Sequence, residues 1–440
     1  MENEKTIYKT DTVTKILRIS AIAMFVVMVA TFAIYIIIDP NRIFSDFAET
    51  ISYCISQNPY TGVDNIHSIY PPFAFLPFYL FALICKVPLQ QYIDGTMTLD
   101  VLIKQPTYLI SFFLFFAICL AIVLLLTAKI SKFKGEKLFW LLAIVTFFAP
   151  IVYCFWRGNN IIFAVIFVML FFWLYDSDKK WKREIANLCL ACAIAVKIYP
   201  IIICLFFIKD RRFLDMLKTI LYSLVLLFLP FLLIQGGFDN IKYIWQNFTH
   251  FNSGEGRQLN FTNISLDGLV GKITELLHIS VVYGILSKIL RFGLVISTIV
   301  TFILAKKSEQ RIQAILLSLL TYELFMGVSY FYTMAFLIIP LILYFIDFDK
   351  LSKTNKIFYG VCFAVIGCPL FANVKFALLA AIAGICMVVK CEIDLIGEFN
   401  QKRKVKQMEN SKTEVSETKL EEKENDTAKI TDTNEDTNKS

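Results

Sequence analysis

Asp46 is the first residue of this sequence whose type and surroundings could do chemistry. It stands just beyond a long apolar run, in Asp46-Phe47-Ala48-Glu49-Thr50-Ile51-Ser52-Tyr53, and Asn58-Pro59-Tyr60 and Tyr70-Pro71-Pro72 follow. A carboxylate where an apolar helix leaves a bilayer, ahead of an aromatic loop, is well placed to take a proton from a lipid-borne substrate. Glu49 and Tyr53 follow Asp46 at helical spacing, which predicts a short amphipathic helix along a membrane surface. Such a helix would hold the carboxylate still, and a general base needs a fixed position as well as a suitable proton affinity. The plainer reading is a solvated loop carboxylate.

Lys197 is the second such residue. It lies well inside the apolar run 185–208, too deep to reach an interface easily, and charges at such depth are functional by default. Its natural partner is a phosphate or a carboxylate. An internal ion pair is the structural alternative, with Glu323 the one acidic residue inside a neighbouring run. Arg157-Gly158-Asn159-Asn160 sits between two apolar runs, where Arg157 could bind a phosphate and Asn159 and Asn160 a sugar hydroxyl. A turn with an arginine at the headgroups explains the same residues. Further polar groups are Arg257 and the stretch Asn263-Ile264-Ser265-Leu266. Tyr60 and Tyr70 also suit an interfacial aromatic belt, and Pro71 and Pro72 suit the first turn of a helix.

The elements that must position these groups are set by composition. Of 440 residues, 57% are hydrophobic, 18% are charged and 42 are Phe. The charges bunch between apolar runs near 16–38, 70–86, 108–128, 138–156, 160–175, 185–208, 214–234, 281–305, 312–328, 330–347, 357–372 and 374–390. This predicts an all-α, multi-pass membrane protein of about twelve helices. The first run is too long for a signal-peptide core and lacks a small-residue cleavage site, so it reads as a retained span.

Lys5, Lys9, Lys15 and Arg18 predict a cytoplasmic N-terminus over residues 1–15, with a transmembrane domain over 16–395. The loop 39–69 is then external, and so is 235–280 if Lys209-Asp210-Arg211-Arg212 and Lys306-Lys307 with Arg311 are cytoplasmic, so that the two loops share a face. Beyond residue 400 the chain is Lys, Glu, Asp, Thr and Asn, and a disordered charged cytoplasmic tail is expected over 400–440. Simple alternation would leave Lys129, Lys132, Lys134 and Lys137, and also Lys179, Lys180, Lys182 and Arg183, on the external side. If both clusters are cytoplasmic instead, the segments 70–86 and 185–208 must be re-entrant or broken, and Pro200 makes a break plausible.

Several chemistries fit poorly. The eleven cysteines fall almost entirely in or beside apolar runs, and three histidines without an HExxH pattern make a protein-built metal site improbable. The formal charge of +7 reflects cytoplasmic Lys and Arg rather than nucleic-acid binding.

Taken in order, Asp46-Phe47 with Tyr53, Asn58-Pro59-Tyr60, Tyr70-Pro71-Pro72, Arg157-Gly158-Asn159-Asn160, Ala195-Val196-Lys197-Ile198-Tyr199-Pro200 and Asn263-Ile264-Ser265-Leu266 resemble the GT-C superfamily. These enzymes are glycosyltransferases that use polyprenyl-phosphate sugars. The resemblance is to glycosyltransferase family 87, related to α-mannosyltransferases, over roughly residues 15–270. Two motifs depart from it. Arg157-Gly158-Asn159-Asn160 stands where Gly-Gln-x-Asn is usual and is closer to the Arg-Gly-Asn of eukaryotic mannosyltransferases that build glycolipid anchors. Gly327-Val328-Ser329-Tyr330-Phe331-Tyr332 replaces an expected Ser-Pro followed by His or Tyr.

The resemblance implies transfer of a hexose, mannose favoured, from a polyprenyl-phosphate sugar to a lipid or glycan acceptor. The site would lie on the external face of a cell membrane, the reaction would invert the sugar, and no cofactor would be needed. Asp46 would be the base. Lys197, Arg157 and Arg257 would hold the donor phosphate, and Tyr53, Asn58, Tyr60, Tyr70, Asn159, Asn160, Tyr199, Asn263 and Ser265 would line the substrates. Two other classes share the overall pattern. A lipid-linked polysaccharide polymerase would concentrate its chemistry in the large external loop, and a transporter or flippase would keep its charges near the midplane.

Overall fold

With no water in a bilayer core, a backbone that crosses it must satisfy its own hydrogen bonds, and helices do so within one segment. The computed structural model of this protein follows that rule. It describes residues 11–38, 45–61, 68–253, 263–279, 282–305, 310–368 and 377–435, which are built from α and 3-10 helices with one isolated β-bridge, Asn263 to Tyr330. The multi-pass all-α reading holds. Among the described residues, four helices are long and apolar enough to cross a membrane: Thr12–Thr31, Pro106–Ser131, Phe213–Leu233 and Tyr283–Leu304. Counting two bent pairs as spans makes up to six, below the expected twelve. Other apolar runs, such as Ile161–Leu174 and Phe331–Ile346, form shorter helices.

Ion pairs tie the polar turns between helices to one another. Lys137 pairs with Asp11 at 3.6 Å and Arg18 with Glu136 at 3.8 Å, so the Lys129–Lys137 cluster sits beside the start of the first helix, Thr12–Ile38. Arg311 pairs with Asp176 and donates to the Phe172 carbonyl at 3.1 Å, while Arg212 donates to the Tyr175 carbonyl at 2.8 Å. Three polar turns therefore meet around residues 175, 212 and 311.

The segments 70–86 and 185–208 are broken. Pro72–Ile84 turns by 109° into Lys86–Ile93, which packs back on the helix Ser45–Ile55 that carries Asp46. Helix Lys180–Val196 stops at Lys197, whose backbone is extended, and Tyr199–Lys209 leads back to Tyr175, whose hydroxyl donates to Asp210 at 2.8 Å. Proline at 200 explains the break, because it has no amide hydrogen to donate to the carbonyl of residue 196 and its ring clashes with that carbonyl, where the helix ends.

The described parts of the two long loops meet. The Asn58 amide donates to the Gln235 carbonyl at 2.9 Å and to Asn240 Oδ1 at 2.8 Å, and Asn247 donates to the carbonyls of Tyr60 and Ser68. At the other extreme of the chain, helix Ala377–Glu435 continues through residues for which the sequence predicts no regular structure. Lys and Glu are good helix formers and no proline interrupts them; Lys402 pairs with Glu398 one turn earlier at 2.6 Å.

Candidate active site

The helix Ser45–Ile55 is fixed by Phe47. That ring is fully buried among Phe78, Tyr108, Phe112 and Phe115, with centroids 5.1 to 6.0 Å away. Phe47, Ala48, Thr50, Ile51, Ser52 and Tyr53 all face protein, while Glu49 stays exposed and the Asp46 side chain is largely covered. The amphipathic helix read from the spacing is therefore present, and it delivers Asp46 to the end of another helix.

That second helix, Ala149–Arg157, ends at Gly158 in the left-handed region (φ +66°), where glycine carries no steric penalty. The turn aims Arg157 and Asn159 at Asp46. Arg157 Nε donates to Asp46 Oδ2 at 2.8 Å and Nη2 to Oδ1 at 2.5 Å, and Asn159 Nδ2 donates to Oδ2 at 2.7 Å. Asn159 Oδ1 in turn accepts from the amide of Ile161 at 3.0 Å, which holds the side chain in place. Three of about four carboxylate lone-pair positions on Asp46 are occupied, leaving one for a substrate hydroxyl.

Tyr332 joins this clamp to Lys197. Its ring lies 5.9 Å from the Arg157 guanidinium and 5.6 Å from Lys197 Nζ. Lys197 is 4% exposed, and its ammonium also faces Tyr70 at 4.8 Å and Tyr199 at 5.5 Å. A cation in an aromatic cage gains from the ring quadrupoles, yet within the described residues it has no ion-pair contact. An anionic ligand would supply that contact. Tyr199 stacks on Tyr322 at 4.2 Å, and the next residue, Glu323, is fully buried. Glu323 Oε2 accepts from Ser329 at 2.8 Å and from Thr333, while Oε1 has no partner.

The side chains of Asp46, Arg157, Asn159, Lys197, Tyr70 and Tyr199 thus form one continuous cluster, and Asn160, adjoining it in the chain, is buried with both amide atoms unpartnered. Other expected site residues do structural work. Arg157, expected as a phosphate ligand, spends two donors on Asp46; its Nη1 has no partner among the described residues. Asn58 joins the two loops and accepts from the Tyr60 amide at 2.9 Å, and the Tyr60 hydroxyl donates to the Tyr70 carbonyl at 3.0 Å. Tyr53 packs on Phe75. Asn263 donates to the Gly327 carbonyl and accepts from the amides of Ser265 and Ser329, while Ser265 caps the helix Leu266–Leu276 through the Gly268 amide at 3.1 Å. Loop amides need partners when buried, and these short polar side chains supply them. Arg257 lies outside the described residues. Among the described residues, no three His, Cys, Asp or Glu side chains are grouped as metal ligands would be.

Residues 69–328 match the model of glycosyltransferase family 87. The chain belongs to glycosyltransferase family 87. Comparison with curated proteins and with solved structures gives no match. The matched stretch of this membrane glycosyltransferase contains Arg157, Asn159, Lys197 and Glu323, whereas Asp46 precedes it and is tied to it through the Arg157 clamp. Tyr332 and Glu323 adjoin the cluster without having been expected as ligands, although Tyr332 ends the stretch 327–332 that departs from the family pattern. Glu323 did carry a signal, as an acidic residue inside an apolar run.

Proposed function

We propose that this family 87 glycosyltransferase moves a hexose, mannose favoured, from a polyprenyl-phosphate sugar to a lipid or glycan acceptor at the external membrane face, with inversion. One observation carries the reading: the Tyr332 ring lies near both the arginine that clamps the Asp46 carboxylate and the buried Lys197, which has no ion pair among the described residues. The carboxylate can take a proton from the acceptor and Lys197 can meet the leaving phosphate.

In this reaction the acceptor hydroxyl gives its proton to the open lone pair of Asp46 as its oxygen attacks the anomeric carbon. The bond from that carbon to the phosphate oxygen breaks, and its electron pair leaves with the polyprenyl phosphate. Lys197 and the free Nη1 of Arg157 meet the charge that develops there, in a setting where low dielectric strengthens the attraction. A single displacement inverts the anomeric centre. Arg157 also orients Asp46, since its fork matches the planar carboxylate on two bonds.

The test uses purified protein in nanodiscs, radiolabelled polyprenyl-phosphate mannose and a membrane lipid extract, with wild type beside Asp46→Asn. Transfer by wild type, with a loss of roughly 10²–10⁴-fold in the variant, is the expected result for removal of a general base. Full turnover by Asp46→Asn would remove Asp46 from the base role. Activity with a different polyprenyl-phosphate hexose alone would replace mannose.

A further inference from the structure

Glu323 has a second oxygen that nothing in the described structure uses. The residue is fully buried, and its Oε2 takes both the Ser329 and Thr333 hydroxyls, so the carboxylate is held in one orientation. Ser329 is itself held, because its amide donates to Asn263 Oδ1 at 3.0 Å and its carbonyl accepts from the Ile264 amide at 2.8 Å. The remaining atom, Oε1, is buried without a partner. A buried polar atom left unsatisfied costs about 1–3 kcal/mol and calls for an explanation. Asn160, beside the Asp46 clamp, is another buried side chain of the Asp46 end with unpartnered atoms.

We propose that Glu323 is a specificity-determining residue whose Oε1 accepts a hydrogen bond from one hydroxyl of the hexose carried by the donor. The assignment rests on the glycosyltransfer reading above. Three observations favour a sugar hydroxyl as the partner. Lys197 already puts a cation near enough to Glu323 to act on it weakly without bonding to it, so a neutral hydroxyl is the partner that adds no further charge. Tyr199, stacked on Tyr322, and Tyr332 provide flat faces of the kind on which a pyranose ring packs. Lys197, the proposed phosphate ligand, feels the charge of Asp46 and, more weakly, that of Glu323. A sugar whose phosphate meets Lys197 would then have its anomeric carbon toward Asp46 and a ring hydroxyl toward Glu323.

The competing explanation is that Glu323 only ties helix Arg311–Phe325 to the segment Phe331–Leu337 through Ser329 and Thr333. Glutamine could keep that tie through its carbonyl while changing the free atom from acceptor to donor. The experiment therefore measures kcat/KM for the parent donor and for its four monodeoxy analogues, with wild type and Glu323→Gln in the same nanodisc assay. A site built to bond a hydroxyl rejects the analogue lacking it strongly. Wild type is expected to discriminate against one deoxy donor by roughly 10²-fold or more, and Glu323→Gln to shrink that one ratio at least tenfold while leaving the other three within threefold.

Equal losses on all five donors, or ratios unchanged from wild type, would overturn the assignment and leave glycosyltransfer standing. No transfer by wild type from any polyprenyl-phosphate hexose would overturn both. If Glu323→Gln does not fold, wild type alone decides: deoxy donors all used within threefold of the parent mean that no buried acceptor reads a hydroxyl.

Discussion

Gly158 and Phe47 meet back to back at the base of the Asp46 cluster. A Cβ added at Gly158 would lie 2.4 Å from the Cβ of Phe47 and 3.2 Å from the Phe112 ring, and the glycine's φ of +66° is itself unfavourable for any other residue. The clamp between Arg157 and Asp46 depends on this close approach, since Arg157 precedes the glycine and Asp46 precedes the phenylalanine. Gly158→Ala is therefore expected to cost about 1–3 kcal/mol from overpacking, with left-handed strain added. Transfer should fall tenfold or more as the clamp opens. Thermal unfolding in detergent and turnover in nanodiscs check this, and an alanine variant with native stability and rate would show that the helix ends do not need this contact.

The Arg157 fork makes a separate prediction. Lysine keeps the charge but loses the planar pair of donors that meets both oxygens of Asp46. Arg157→Lys is expected to lower kcat by roughly 10- to 100-fold, judged from the specificity of bidentate recognition. Because the two residues act as one unit, Asp46→Asn with Arg157→Lys should be little slower than Asp46→Asn alone. Multiplicative losses in that double-mutant cycle would mean that Arg157 serves mainly the donor phosphate.

How much of this was legible in the sequence depended on how rare each signal was. Asp46 and Lys197 stood out because a carboxylate at the edge of an apolar run and a lysine inside one are uncommon, and Pro200 marked the break after helix Lys180–Val196. The pairing of Asp46 with Arg157 had no such signal, because 111 residues separate them and only packing around Phe47 brings them together. Asn58, Asn263 and Ser265 looked like ligands for the same reason that they make good loop residues: short polar side chains satisfy backbone groups. Tyr332 stood out only as the end of the departing stretch 327–332, and its role shows once its ring lies near both Arg157 and Lys197. The helix count fell short because continuous apolar runs do not reveal where a chain bends, as between Ile84 and Lys86.

Glu49 should make stability depend on pH. Burial among protein atoms, and next the charge of Asp46, raise its carboxyl from an ordinary 4.5 to about 7, with Arg157 opposing. Its side chain nonetheless meets solvent, as a group inside an open cleft does, and water there softens the effect. Tyr53 on its own helix, Tyr70, and Tyr92 on Lys86–Ile93 also feel its charge. Between the ordinary and the raised value the folded protein holds a proton that the unfolded chain has lost. Stability is thus greatest below that window and falls as pH rises through it. Glu49→Gln should match wild type near pH 4.5 and melt about 2 °C or more higher at pH 8. An equal offset at both pH values would point to packing rather than to titration.

Asn58 decides between a substrate ligand and a strut. Its amide donates to the Gln235 carbonyl and to Asn240, its oxygen accepts from the Tyr60 amide, and these bonds join the segment after the Asp46 helix to the start of the second long loop. The groups are only partly buried, so water can replace much of what is lost, and Asn58→Ala should cost about 1 kcal/mol. As a strut, Asn58 should leave kcat within a few-fold of wild type when replaced, while limited proteolysis of the 235–280 region speeds up because the loop has lost its anchor. As a ligand it would do the reverse: kcat/KM would drop more than tenfold and the proteolysis rate would stay put. The existing bonds already use both ends of the Asn58 amide, which favours the strut.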